Sequence, residues 1–115
     1  MKYISGIHAL NILCDLDTPG DWHQPALNWN AIHELDSSDM FFKDYGIETD
    51  KPIPEHSEKY CVANHIRALL DLLQQGMFSI TQGMNNDYIC NNKYNLEIFK
   101  KVLMLKENKN FILLL

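Results

Sequence analysis

The chain has 115 residues, 46% of them hydrophobic and 22% charged, with five Gly and four Pro. This length suits one compact domain rather than two cores, and the composition excludes collagen-like, mucin-like and wholly disordered classes. Ten basic against fifteen acidic side chains give a net charge of −5, which argues against a protein that holds nucleic acid by general phosphate neutralisation.

That charge is unevenly spread. Residues 1 to 57 carry three Lys and ten Asp/Glu, a net of −7, and residues 58 to 115 carry seven Lys/Arg and five Asp/Glu, a net of +2. The domain therefore divides into an acidic, strand- and loop-rich half and a helical half with an apolar tail. Cys14, Cys61 and Cys90 form no C-x-x-C pair, so neither a disulfide framework nor a structural zinc site is indicated, and reduced thiols of a cytoplasmic protein fit. The apolar start is broken by Gly6, His8 and Asn11, which is poor for a secretion signal. No apolar run reaches the roughly 20 residues needed to span a bilayer, so no membrane partner is expected.

In chain order, residues 2 to 14 combine Tyr3, Ile4, Ile7, Leu10, Ile12 and Leu13 and suit a buried strand, or two short ones broken near His8. The run Thr18-Pro19-Gly20-Asp21 has Pro and Gly at the central positions of a type II turn. Residues 26 to 36 show a mixed period that reads as a strand. Residues 36 to 57 are rich in Asp, Ser and Pro and read as a long loop anchored by Met40, Phe41, Phe42, Tyr45 and Ile47. A helix is predicted over 58 to 75: Ser57 caps it, Glu58 suits its positive first turn, Val62, Ile66, Leu69, Leu70 and Leu73 recur at helical spacing, and Gly76 closes it. Residues 77 to 89, with Gly83 and a polar Asn85-Asn86-Asp87 run, give a turn or short helix. A second helix is predicted over 95 to 106, capped by Asn95, with Leu96, Ile98, Phe99, Val102 and Leu103 opposite Glu97, Lys100, Lys101 and Lys106. The apolar run 110 to 115 would be a pairing hazard if exposed, so it is expected to add a strand or to line a homodimer interface. The fold class that results is α+β: a small single-layer antiparallel or mixed sheet, built from the N-terminal half and the tail, packed against two amphipathic helices.

Two groups of residues invite a chemical reading. Asp15, Asp17, Asp21 and His23 crowd one loop with Cys14 and Trp22, and His8 and His33 flank it. Carboxylates and imidazoles together could hold a divalent metal that activates water, with His23 as ligand or general base. The spacing matches no short metal motif, however, and Asp-rich turns of this kind usually cap their own backbone. His33 and Glu34 are adjacent, and on a strand they would point to opposite faces. On the first predicted helix Cys61 and His65 lie one turn apart, which is the spacing of a thiol–imidazole pair but equally of a small buried hydrophobe beside a histidine. Asn64, Arg67 and Asp71 share a polar stripe there; with His65 they form either a solvated face or a partner-binding face.

Glycine-rich phosphate loops and nucleophile elbows are absent from the sequence. No cofactor is expected from motifs, and a divalent metal enters only under the loop reading. Size, acidity and charge asymmetry point to a small non-enzymatic interaction or regulatory protein, of the antitoxin or immunity kind, binding a basic partner protein. The alternative is a small metal-dependent hydrolase built on Asp15, Asp17, Asp21 and His23.

Overall fold

In the computed structural model, which describes residues 1 to 21, 23 to 83 and 85 to 108, the expected α+β architecture is present. Strand β1 (Lys2–Tyr3) pairs antiparallel with β2 (Leu35–Asp36), and β3 (Ile47–Pro52) pairs antiparallel with β4 (Lys59–Ala63). A single parallel bridge joins the two ribbons. There the Ile4 N–H donates to the Cys61 carbonyl at 2.9 Å and the Ala63 N–H donates to the Ile4 carbonyl at 2.8 Å. Four helices, α1 (Gly6–Leu10), α2 (His65–Gln74), α3 (Phe78–Thr81) and α4 (Asn95–Glu107), pack around these strands. The apolar run 110 to 115, and with it the expected strand or dimer contact, lies outside the described residues, as does Trp22.

The expected helix over 58 to 75 is shorter and starts later. Lys59 to Ala63 form β4, and α2 begins at His65. Tyr60-Cys61-Val62 is a β-favouring run that can pair with Ile47 to Pro52, so its backbone groups find partners in a ladder instead of a first helical turn. Asn64, not Ser57, is the cap: its side-chain carbonyl accepts the Arg67 N–H at 2.8 Å and its own carbonyl accepts from Ala68 at 2.8 Å. The C-terminal end is as expected. Gly76, at φ 79°, lets the chain leave α2, with its N–H on the Leu73 carbonyl and the Met77 N–H on the Leu72 carbonyl. Replacing Asn64 with Ala should lower stability by about 1 kcal/mol, whereas Ser57→Ala should change it by less than about 0.5 kcal/mol. Urea denaturation of the two variants separates the two cap assignments.

Three further expectations change. After Tyr3 and Ile4 the N-terminal run turns into α1, because a short apolar stretch has too few residues for its period to distinguish a strand from a buried helical turn. Residues 26 to 36 are strand only at Leu35–Asp36. Trp29 is buried there, with its indole N–H on the Gln24 carbonyl and its own carbonyl accepting from His56. The loop over 36 to 57 contains β3, whose Pro52 is tolerated because the strand is an edge and needs no inward donor at that point. Its register slips between Glu48 and Lys51, and Asp50 takes up the bulge at φ 56°. The predicted loop anchors do pack: Met40 and Phe42 are buried, and Phe41, Tyr45 and Ile47 lie half-buried against the core.

Helix α2 is the centre of the molecule. Every residue from His65 to Leu72 is buried, so both its apolar and its polar faces are covered by β1, α1, β4 and α4. By contrast α4 buries only Ile98 and Leu105 fully. It starts without a side-chain cap, since Asn95 is its first helical residue and Asn91 caps the preceding turn (Asn92–Tyr94).

Candidate functional site

The four residues of α2 read as a candidate partner-binding face do not form a surface. Asn64 is committed to the cap. His65, Arg67 and Asp71 are 1%, 0% and 0% exposed, so the expected exposed ion pair is an interior one. Arg67 Nε donates to Asp71 Oδ1 at 2.8 Å, Nη1 donates to the Lys43 and Tyr45 carbonyls, and Nη2 donates to the Tyr3 hydroxyl at 2.8 Å. Asp71 Oδ2 accepts from the Tyr3 hydroxyl at 2.6 Å and from Ser5 Oγ at 2.7 Å. Four of the five guanidinium donors and both carboxylate oxygens are thus satisfied, as a charge pair removed from water requires. Burial, then the Asp71 carboxylate, pushes the Tyr3 phenol well above its usual range. The sequence signal was the i to i+4 spacing of Arg67 and Asp71; what it lacked was Tyr3, 64 residues earlier, which closes the network.

The acidic loop is present, but its carboxylates diverge. Asp15 pairs with Lys51 at 3.4 Å while its N–H goes to Glu48 Oε2 at 2.8 Å. Asp17 receives Asn91 Nδ2 on its carbonyl at 2.9 Å and lies 4.0 Å from Lys93 Nζ. Asp21 accepts from Asn11 at 3.1 Å and pairs with His23 Nδ1 at 2.9 Å, which raises the His23 pKa from its ordinary value. Asp21 and His23 are the only two of the four brought together. His8 is turned to the Asn28 carbonyl and stacks edge-on against Trp29, and His33 and Glu34 are exposed. Among the described residues no group of three or more His, Cys, Asp or Glu side chains is placed to hold a metal ion.

The same loop does create a cluster that spacing alone did not reveal. The Thr18 hydroxyl lies 2.7 Å from His65 Nδ1 and 3.5 Å from Cys14 Sγ, while His65 Nε2 lies 2.8 Å from the Ile12 carbonyl. A carbonyl can only accept, so Nε2 carries the hydrogen and, in the neutral ring, Nδ1 is the acceptor. Burial alone would push the Cys14 thiol up, but hydrogen bonding to His65 and Thr18 outweighs it and the net direction is down. Cys61, one turn before His65 on the predicted helix, lies in β4 instead, and the sulfur near His65 is that of Cys14, reached through Thr18.

The second distinctive feature is the outer face of α4. Leu96, Phe99, Leu103 and Met104 are 64%, 61%, 38% and 46% exposed, while Ile98, Val102 and Leu105 face inward. The sequence contains two apolar stripes: 98, 102 and 105 against the core, and 96, 99 and 103, at i, i+3 and i+7, outward. Reading them as one stripe hid the second. The helix is tied to Tyr45 by Glu97, which accepts from the Tyr45 hydroxyl, and by Lys101, whose ammonium lies 4.3 Å from the Tyr45 ring centroid. Lys93, Lys100 and Lys106 are exposed on or beside α4.

Among the described residues no helix is long and apolar enough to cross a membrane. Compared with protein-family models, with curated proteins and with solved structures, the chain matches none of them.

Proposed function

We propose that this is a non-enzymatic interaction protein that engages a partner protein through the outer face of α4. The observation that carries this reading is the exposed stripe of Leu96, Phe99 and Leu103 with Met104 beside it. Large apolar side chains gathered on one exposed helix face mark interaction surfaces more often than isolated ones do, and the i, i+3, i+7 spacing is that of anchors laid along a groove or a second helix.

The charge around the stripe selects the partner. Lys100 and Lys106 flank it, and Glu97 is held by Tyr45, so a symmetric pairing of two α4 helices would bring lysines together. An apolar groove or amphipathic helix rimmed by carboxylates fits instead. In the acidic half, from which a basic partner is expected, Asp15, Asp17, Asp21, Asp36, Asp44 and Glu48 also serve turns or ion pairs within the fold. A regulatory or neutralising role is served by such a surface without any catalytic group.

The test uses two fluorescent 18-residue amphipathic helical peptides that differ only in carrying Glu or Lys beside the leucines. The Glu-flanked peptide should bind, should weaken as salt is raised, and should bind about tenfold more weakly to a Leu96→Asp/Phe99→Asp variant of unchanged melting temperature. Equal binding of both peptides, no binding of either, or self-association through α4 in sedimentation experiments would refute the reading.

A further inference from the structure

We propose that Cys14 is a modification site: a thiol whose proton Thr18 and His65 carry away, leaving a sulfur nucleophile that a hydroperoxide oxidises to a sulfenic acid. Thiolates, not thiols, are the nucleophiles of cysteine chemistry, and they form where a base and nearby donors support them. Here the base is His65, oriented by its Nε2–H on the Ile12 carbonyl at 2.8 Å. The relay is Thr18, whose hydroxyl stands between Sγ at 3.5 Å and Nδ1 at 2.7 Å. Sulfur passes its proton to Oγ1 as Oγ1 passes its own to Nδ1.

What remains is held on several sides. The Thr18 hydroxyl turns its hydrogen to the sulfur, and through Thr18 and the Ile12 carbonyl the loop carrying Cys14 is fastened to His65, the first residue of α2. That residue opens a ten-residue helix, whose N-terminal end is positive. The imidazolium is supported in turn by the Glu48 carboxylate, which acts on it through space and is anchored by the Asp15 N–H. Nucleophile, relay, base and the carbonyl that orients the base thus come from two segments, residues 12 to 18 and the start of α2.

An open cleft of about 410 Å³ borders the ends of this loop at Leu13 and Pro19, with Asn11 and Gln24 as its polar lining; Cys14 itself does not line it. In the proposed step the thiolate attacks one peroxide oxygen, the O–O bond breaks, and sulfur is oxidised as the peroxide is reduced. The departing oxygen takes the proton held on His65 and leaves as water or an alcohol, so proton and electrons balance with the hydroperoxide as sole co-reactant.

Exposure alone predicts a different order of reactivity, and this makes the inference testable. Cys90 is exposed, whereas Cys14 and Cys61 are half-buried. With iodoacetamide at pH 7, followed by site-resolved mass spectrometry, Cys14 should be alkylated about tenfold faster than Cys90. Hydrogen peroxide with dimedone present should trap the sulfenic acid at Cys14 first. Thr18→Val, which keeps the shape and removes the hydroxyl, should abolish that advantage while leaving the rates at Cys61 and Cys90 unchanged. Should Cys90 react first, or dimedone label the three cysteines in order of exposure, the proposal is overturned without recourse to any variant. A folded Thr18→Val protein whose Cys14 reacts as fast as in the unaltered chain also overturns it.

Discussion

Arg67→Ala should cost about 3 to 5 kcal/mol, the amount typical of stripping one partner from a buried charge pair. For a domain whose total stability is of the order of 5 to 15 kcal/mol, that brings the variant close to unfolding at room temperature. The cost has three parts. Asp71 would keep two hydroxyl donors, from Tyr3 and Ser5, but lose its counter-charge. The Lys43 and Tyr45 carbonyls would lose their Nη1 donor. A void would also open beneath the Tyr3 ring, over which the guanidinium sits at 5.0 Å. The double variant Arg67→Met/Asp71→Leu leaves no uncompensated charge, and should be more stable than Arg67→Ala despite carrying two changes. Urea denaturation of both decides the matter: a loss below about 1 kcal/mol in the single variant, or a double variant less stable than the single, would show that the pair does not hold this interior together.

The second large effect is expected at Gly20. Its φ is 76°, and a Cβ placed there would stand 2.2 Å from the Leu10 carbonyl oxygen and 2.8 Å from His65 Cε1. The Leu10 oxygen cannot retreat freely, because it accepts the Asp21 N–H at 2.9 Å, and Gly20 itself is held by its N–H on the Tyr88 carbonyl at 3.0 Å. Gly20→Ala therefore combines about 1 to 2 kcal/mol of left-handed backbone strain with a forced displacement of the loop from α1, and a loss above about 3 kcal/mol is expected. Gly76→Ala isolates the first component. That residue has φ 79° and nothing within 4 Å of its would-be Cβ, so only the strain should appear. Similar melting temperatures for the two alanine variants would mean that the loop yields to the methyl group at little cost.

How much of this was legible in the sequence differs from element to element. Helix α4 was readable because it is long and separated by polar residues from its neighbours. Its outward stripe is harder to read, because a single apolar stripe puts Ile98 and Phe99 on one face, although adjacent residues on a helix diverge by about 100°. The start of α2 was misplaced because Val62 continues the helical period into β4 by coincidence; Asn64, a strong cap residue before an unbroken helical run, was the signal that could have corrected it. The interior placement of Arg67 and Asp71 was not readable, since a charged pair at i and i+4 ordinarily lies in solvent. Only Tyr3, Ser5 and the carbonyls of residues 43 and 45, all distant in sequence, make the burial tolerable. The acidic loop was recognised as a centre of polar residues, but the pairing of Cys14 with His65 depends on a loop and a helix start that no local spacing connects.

The parallel bridge between Ile4 and Val62, together with the Tyr3 to Asp71 hydrogen bond across 68 positions, bears on the order in which the chain is made. Tyr3 and Ile4 have partners among residues 61 to 71, which are made later, so residues 1 to 57 cannot complete their packing before α2 is made. At ribosomal rates of about 5 to 20 residues per second, they wait roughly 3 to 13 seconds for α2 to arrive. During that interval a net charge of −7 favours the solubility of the incomplete fold.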